Sequence, residues 1–218
     1  MPKMPLRAHQ QTVPSAIPAA RAGGQGSDWR SGLPQLTGSM TIVRDLTLGD
    51  AQSLFVSLST EEVARYISPP PTSVPGFERF IAWTAEQRAA GQYACFGIVP
   101  RGLDAAVGLF QVRSLESDFG LAEWGFALAA EHWGTGVFVD GAQVVMGFGF
   151  DVLGINRLEA RAAVRNGRGN GALRKIGALQ EGVLRRSFLR NGEYLDQALW
   201  SILREDWQRR NDAVSVLH

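Results

Sequence analysis

The segment from residue 121 to residue 164 constrains the fold more than any other part of the sequence. Side chains alternate over residues 121–128 as in a strand, and Gly134-Thr135-Gly136 then directly precedes a helix that extends to about residue 153. Residues 158–164 alternate again. A strand, a glycine-containing turn, a helix and a second strand in this order predict a domain of mixed strands and helices.

The flanking segments add strands and helices to this unit. Upstream, the sequence predicts strands at 41–46, 93–99 and 106–112, and helices from Asp50, from Thr60 and over about 75–90. Downstream, it predicts a loop at 166–171, a short helix at 172–176 and two long strands that meet at Asn191-Gly192. We therefore predict a disordered leader at 1–28, one mixed α/β domain at 29–208 and a polar tail at 209–218.

Composition excludes several classes of function. The 218 residues are 45% hydrophobic, which suits one buried core, and the formal net charge of +1 gives no reason to expect nucleic acid or a membrane as partner. Cys95 is the one cysteine, so no intrachain disulfide forms, and we expect a reducing, cytoplasmic location. His9, His132 and His218 lack metal-ligand spacing, so no metal is expected.

Two features of the central segment suggest chemistry. Glu123, Gly125 and Ala127 share one face of the strand, so a carboxylate stands beside two positions of minimal bulk. The turn from Trp133 to Phe138 opens a helix, where unpaired amides and partial positive charge favour an anion such as pyrophosphate. A solvated strand acid and an ordinary tight turn explain the same residues.

A polar, basic segment follows the next strand. Asn166 carries both a donor and an acceptor that can hold an amide-bearing ligand. Arg165, Arg168, Arg174 and Lys175 form a cluster suited to phosphate. An Asn/Gly turn followed by a solvated basic face accounts equally well for these residues.

Taken in order, these motifs resemble the GNAT superfamily of acetyltransferases, and within it the branch of ribosomal-protein N-terminal acetyltransferases. The resemblance extends from about Ile42 to Trp207. It is carried by Ala122-Glu123-Trp124-Gly125-Phe126, Glu131-His132-Trp133-Gly134-Thr135-Gly136, Asn156-Arg157-Leu158-Glu159-Ala160-Arg161, Asn166 with Gly177, Glu181-Gly182-Val183-Leu184-Arg185 and Asn191-Gly192-Glu193-Tyr194-Leu195-Asp196.

The resemblance implies a fold and a ligand. The fold is a twisted, mixed, mostly antiparallel sheet with two splayed central parallel strands and flanking helices. The ligand is acetyl-CoA as co-substrate, with its pantetheine arm in the split and its pyrophosphate on the glycine-containing turn. The cofactor-binding residues implied are Phe126, Ala127, Leu128, Trp133, Gly134, Thr135, Gly136, Val137, Phe138, Asn166, Asn170 and Arg174.

Some positions depart from the family pattern. Phe138 stands where Gly or Ala is usual, so its side chain must point away from the phosphates or narrow the site. Gly169 replaces a common Ser or Ala, and Ala178 a common aromatic residue. Leu173 occupies the place of a tyrosine often used as general acid, so the acid is missing from its common place.

The implied activity is acetyl transfer from acetyl-CoA to a primary amine. We predict Glu123 as the base, acting through water, with a backbone N–H near Ala127 or Leu128 stabilising the oxyanion. Tyr194 in the hairpin is the candidate for protonating the leaving thiolate. A protein N-terminal amine is the first expectation for the acceptor. An antibiotic, polyamine or amino acid is the alternative, and a non-catalytic acyl-CoA-binding module is a third interpretation. A homodimer is compatible with the resemblance.

Overall fold

Eight strands and six helices make up the computed structural model, which describes residues 28–116 and 118–215. The strands are β1 (Leu36–Thr37), β2 (Thr41–Asp45), β3 (Tyr93–Pro100), β4 (Gly108–Ser114), β5 (Leu121–Leu128), β6 (Arg157–Ala163), β7 (Leu179–Arg190) and β8 (Glu193–Leu203). The helices are α1 (Ala51–Leu58), α2 (Glu61–Ala64), α3 (Val74–Ala89), α4 (Val137–Gly147), α5 (Gly167–Lys175) and α6 (Arg204–Ser215).

The strands form one sheet in the order β1-β2-β3-β4-β5-β6-β8-β7, and every neighbouring pair is antiparallel except β5 and β6. The parallel ladder runs only from Leu121 opposite Arg157 to Trp124 opposite Ala160. Beyond it, β5 stays paired with β4 and β6 stays paired with β8. The two central strands therefore separate into a split, which confirms the predicted fold class.

Side chains on the two faces of the sheet pack into two separate cores. On one face, Phe110 and Trp124 pack with α4 residues such as Val145. On the other face, Leu109 and Ala127 pack with α1 and α3. We call these the α4 face and the α1–α3 face. Because strand side chains alternate, the register of a strand decides on which face each of its side chains lies.

The helix after β6 begins earlier than the sequence predicts. The segment predicted as a loop at 166–171 is largely the first part of α5, which starts at Gly167. Glycine disfavours helix, but the Asn166 side chain accepts a hydrogen bond from the Gly169 amide and caps the helix. The sequence also does not predict the short strand β1.

The C-terminal helix crosses the predicted domain boundary. α6 continues to Ser215, so the boundary placed after residue 208 falls inside a helix. The Trp207 ring stacks on Phe150 at 5.8 Å, and the Arg210 guanidinium donates to the Ile176 carbonyl, which explains why this polar segment is helical. The predicted leader lies outside the described residues, apart from residue 28. None of the helices in the described ranges combines the length and hydrophobicity that a bilayer crossing requires.

Candidate active site

The edge of β5 that faces the split carries free peptide groups. The Ala129 amide donates to the Val107 carbonyl at 2.9 Å, and Ala127 pairs with β4, so alternation turns the peptide groups of Phe126 and Leu128 toward the split. The β5–β6 ladder ends before both residues. Backbone donors and acceptors are therefore available there for a ligand that lies along the strand.

This geometry limits which backbone groups of the three predicted partners face the split. The N–H and C=O of Ala127 point toward β4, so they do not face the split. The Leu128 carbonyl also has a partner, because Trp133 Nε1 donates to it at 2.8 Å. The groups that remain on the edge are both peptide groups of Phe126 and the N–H of Leu128.

The glycine-containing turn adopts a conformation that other residues rarely reach. Gly134 has a φ of 77° and Gly136, which caps α4, has a φ of 96°. No atom lies within 4 Å of where a Cβ of Gly134 would stand, so the backbone is open to an approaching group. The Thr135 hydroxyl donates to His132 and accepts from the Val137 amide, which fixes the shape of the turn. The start of α4 thus presents amides on an accessible backbone.

The bulky residue at position 138 points toward the sheet. The Phe138 ring packs on Phe126 at 4.6 Å and on Phe110 at 5.7 Å. The side chain therefore packs against β4 and β5. This packing favours the alternative in which the side chain points away from the phosphates.

A cation–π contact spans the open end of the split. The Arg168 guanidinium, in the first turn of α5, lies 4.6 Å from the centre of the Trp133 ring, which follows β5. Arg168 is exposed and makes no ion pair with a described residue. It therefore adds a positive charge close to the glycine-containing turn.

An aspartate anchors the turn between β1 and β2 on the start of α4. The Asp140 carboxylate accepts hydrogen bonds from the amides of Ser39, Met40 and Thr41 and from the hydroxyls of Ser39 and Thr41, at 2.6–3.0 Å. The Met40 sulfur stands 3.1 Å from where a Cβ of Gly136 would lie. The β1–β2 turn therefore supports the glycine-containing turn from behind, a role that the sequence analysis missed.

Asp140→Asn should destabilise the protein by about 1–3 kcal/mol, since charge-assisted hydrogen bonds are lost. Burial alone raises the pKa of Asp140, but the bonds from Ser39, Thr41 and Met40 outweigh it and lower the pKa to about 2. The folded pKa lies below the unfolded one, so this stability is complete above about pH 5 and is lost as pH falls toward 2.

Urea unfolding of the wild type and Asp140→Asn between pH 3 and pH 7 checks this result. The difference between them should shrink at the acid end. Asp151→Asn, at an exposed position beyond α4, is the control and should change little. A difference that stays constant down to pH 3 contradicts the assignment.

The polar residues predicted in α5 serve mainly to hold the fold. Asn170 Nδ2 donates to the carbonyls of Ala163 and Asn166, and its Oδ1 accepts from Trp200 Nε1 at 2.9 Å. The Arg174 guanidinium lies over the Trp200 ring. Asn170 therefore ties the end of β6 to α5 and β8, and its amide is engaged within the fold. Asn166 uses its oxygen to cap α5, and its amide N–H groups donate to no side chain or carbonyl of the described residues.

Glu123 lies on the α1–α3 face of β5, beside the split. Its Oε2 contacts Arg113 Nη2 at 2.5 Å and its Oε1 lies 3.6 Å from Arg161 Nη1. The side chain is 22% exposed, so water reaches it. Gly125 stands next along this face, opposite Gln111, whose side-chain Oε1 lies 3.3 Å from where a Cβ of Gly125 would stand.

The structure does not bring Tyr194 together with Glu123. Glu159 pairs with Glu123 on one side and with Ser201 on the other, so alternation along β8 puts Leu195 on the α1–α3 face and Tyr194 on the α4 face. Tyr194 is 54% exposed. On this register Tyr194 and Glu123 lie on opposite faces of the sheet, and the role of Tyr194 as acid stays a prediction.

Comparison with known proteins identifies the family. A model of the acetyltransferase (GNAT) domain matches residues 41–179, which include β5, the glycine-containing turn and α5. The chain belongs to the GNAT acetyltransferase family. It is 29% identical to the uncharacterized N-acetyltransferase YoaA of Bacillus subtilis over 176 residues, which cover 78% of this chain and 97% of YoaA. It is 28% identical to the uncharacterized N-acetyltransferase p20 of Bacillus licheniformis, over 76% of this chain and 93% of p20.

Solved structures share the fold of this GNAT domain. The ribosomal-protein-S5-alanine acetyltransferase of Vibrio fischeri superposes with a TM-score of 0.71 at 19% identity, over 80% of this chain and 98% of that one. The protein is thus an N-acetyltransferase, and its family uses acetyl-CoA. The interpretation as a non-catalytic module, which rested on Phe138, Gly169 and Leu173, is not supported. Phe138 packs on the sheet, and Leu173 is a buried core residue.

Proposed function

We propose that this N-acetyltransferase transfers the acetyl group of acetyl-CoA to the N-terminal amine of a protein. The observation that carries the proposal is the split edge of β5, which has free peptide groups at Phe126 and Leu128, the glycine-containing turn at one end and Glu123 on the α1–α3 face. One side of the split can hold an extended thioester, and the other can receive an amine.

The residues present fit acetyl-CoA. An extended pantetheine arm carries amides that can pair with the N–H and C=O of Phe126, which leaves the N–H of Leu128 for the thioester carbonyl. The open backbone at Gly134 and the first amides of α4 suit a pyrophosphate, and Arg168 adds a positive charge nearby. Asn166 stands at the start of α5 with free amide N–H groups that can reach the arm.

In this proposal Glu123 acts as the base. An amine attacks only when neutral, so a proton must leave it, and Glu123 takes that proton through water. The Leu128 N–H is placed to stabilise negative charge on the carbonyl oxygen. The thiolate leaves without an acid, because a thiol pKa of about 8.5 makes it a sufficient leaving group. The absence of a donor at Leu173 is then tolerable.

The charges around Glu123 favour a peptide over a small polycation. A closed acidic pocket would suit a polyamine, but Glu123 is paired with Arg113 and Arg161. The neighbouring Glu159 is paired with Arg157. The structural similarity to the Vibrio fischeri enzyme, whose name specifies a ribosomal-protein alanine acceptor, also supports a protein acceptor.

The experiment is thiol release from acetyl-CoA with matched acceptors. The panel contains short peptides with free N-termini, the same peptides with blocked N-termini, a polyamine, an aminoglycoside and free amino acids. The proposal expects release with free peptides and none with blocked ones. Release that is faster with the small amines than with any peptide contradicts the protein acceptor.

Gly134→Ala should weaken acetyl-CoA binding about tenfold, because an alanine at this positive φ shifts the turn and its Cβ enters the space in front of it. Gly154 is a matched control, with a φ of 79° and open space, at the far end of α4. Each alanine should cost about 1 kcal/mol of stability. Isothermal titration calorimetry should find weaker binding only in Gly134→Ala. Equal affinity in both variants means that the phosphates lie elsewhere.

A further inference from the structure

The β7–β8 hairpin reaches across the split to the helices of the α1–α3 face. β8 pairs with β6 only as far as Gln197 opposite Ala163, and the hairpin continues beyond the end of β6. At its tip, Arg190 Nη2 donates to the Ala64 carbonyl at the end of α2, at 2.8 Å. Since α2 packs with β3 and β4 on the other side of the split, this bond forms an arch between the two sides.

The guanidinium in this arch is incompletely paired. Arg190 Nε is buried and has no hydrogen-bond partner among the described residues. Its cross-strand neighbour Glu193 is held instead by Arg165 at 2.8 Å. A half-buried guanidinium with an unsatisfied N–H lacks the carboxylate that would match its planar donors. The arch therefore offers a site for an anionic group.

Charges of both signs lie near the arch. Arg65 follows Ala64 and lies over the Tyr66 ring, at 5.3 Å, without an ion pair to a described residue. Arg113 and Arg161 flank Glu123 deeper in the same face. The acids of α2, Glu61 and Glu62, are exposed and lie within one helical turn of Ala64.

The register gives the distance over which an acceptor must extend. Arg190 stands opposite Glu193, and Arg161 stands opposite Leu199, six positions further along β8. At about 3.3 Å per residue this is on the order of 20 Å. A free amino acid does not span that distance, whereas an extended peptide of several residues does.

We propose that Arg190 recognises a carboxylate of the acceptor, so that the preferred substrate is a protein N-terminus with an acidic side chain about four to six residues after the reacting amine. This inference rests on the proposed function. In it, Arg190 is a specificity-determining residue, and the amine itself lies near Glu123.

The test uses octapeptides of neutral sequence with a single Glu placed at each position from 2 to 7, and matched peptides with Gln or Lys there. Thiol release gives kcat/KM for the wild type, Arg190→Gln and Arg190→Lys. The wild type should prefer Glu to Gln at least tenfold at one position between 4 and 7. Arg190→Gln should lose that preference through KM and keep its rate on the Gln peptides within about twofold, while Arg190→Lys should keep part of it.

Arg209→Gln, which removes one exposed arginine of α6, controls for net charge and should keep the full preference. If Arg190→Gln slows all peptides equally, the arch is purely structural and the inference is wrong. If the wild type shows no preference, or prefers Glu only at position 2, it is also wrong, although acetylation of peptides would stand. Absence of thiol release with every free peptide would instead overturn the proposed function, and this inference with it.

Discussion

Asp50→Ala should destabilise the protein by about 3–5 kcal/mol, because it leaves a partly buried guanidinium without its carboxylate. Asp50 is 1% exposed and forms a two-pronged pair with Arg44, at 2.8 and 2.9 Å. The same carboxylate accepts from the amides of Thr47 and Ala106, which joins the start of the helical segment to the strand region before β4. Alanine therefore leaves Arg44, the buried Ala106 amide and the Thr47 amide without their acceptor.

Equilibrium unfolding in urea at pH 7 measures this loss, and Asp151→Ala serves as the exposed control. Burial alone raises the pKa of Asp50, but the bonds from Arg44, Ala106 and Thr47 outweigh it and lower the pKa to about 2. Because the folded pKa is the lower one, this contribution is complete above the unfolded pKa of about 3.9 and disappears as pH falls toward 2. Asp50→Ala should accordingly lose less stability than the wild type on acidification. A loss below about 1 kcal/mol at pH 7 would contradict the role of this pair.

The sequence is informative where a local pattern decides the structure. The alternation around Glu123 correctly assigns this residue to one face with Gly125 and Ala127. The glycines before α4 correctly predict a turn that opens a helix. Gly134 and Gly136 both have positive φ, a conformation that glycine adopts far more easily than other residues. These are short-range consequences of strand geometry and backbone sterics.

The sequence is less informative where distant residues decide. Propensity argues against a helix at Gly167, but Asn170 is bonded to the end of β6 and to Trp200, and those tertiary contacts override it. Tyr194 was assigned to the site of Glu123 from its place in a hairpin. Its face depends on the β6–β8 register, and a one-residue change of register exchanges the two faces.

The anchoring role of Asp140 is also non-local. Its five hydrogen bonds come from residues about a hundred positions earlier in the chain, in the β1–β2 turn. Nothing in the local pattern of α4 distinguishes it from a first-turn acid that faces solvent, a common feature of helix starts. Long-range polar contacts of this kind become visible only once the sheet order is known.

Glu123→Gln should lower kcat with a peptide acceptor about 10²–10³-fold at pH 7, as removal of a general base does. A peptide amine has a pKa of about 7.7–8.0, so more of it is neutral at higher pH, and the variant should recover part of its rate between pH 7 and pH 9.5. The measurement is a pH profile of kcat and kcat/KM. Turnover like that of the wild type across the whole range would remove Glu123 from the mechanism.

Glu159→Gln separates loss of a base from loss of an ion pair. Glu159 is the direct neighbour of Glu123 across the parallel ladder, lies on the same face and pairs with Arg157 at 2.9 Å. Removing its charge disturbs a comparable ion pair but leaves the proposed proton acceptor in place. If both variants lose activity to the same extent, the activity depends on the ion pairs of Glu123 and Glu159 and not on the basicity of the Glu123 carboxylate.

Coenzyme affinity provides the last distinction. Glu123 faces α1 and α3, whereas the glycine-containing turn opens α4 on the other side of the sheet. A change of base should therefore reduce kcat and leave the dissociation constant of acetyl-CoA within about twofold, since binding and proton removal take place on different faces. Gly134→Ala should show the reverse pattern, with weaker coenzyme binding and kcat largely kept at saturation. If Glu123→Gln changes only kcat and Gly134→Ala changes only the dissociation constant, proton removal and coenzyme binding belong to opposite faces of the sheet. A general loosening of the split would instead change both kcat and the dissociation constant in both variants.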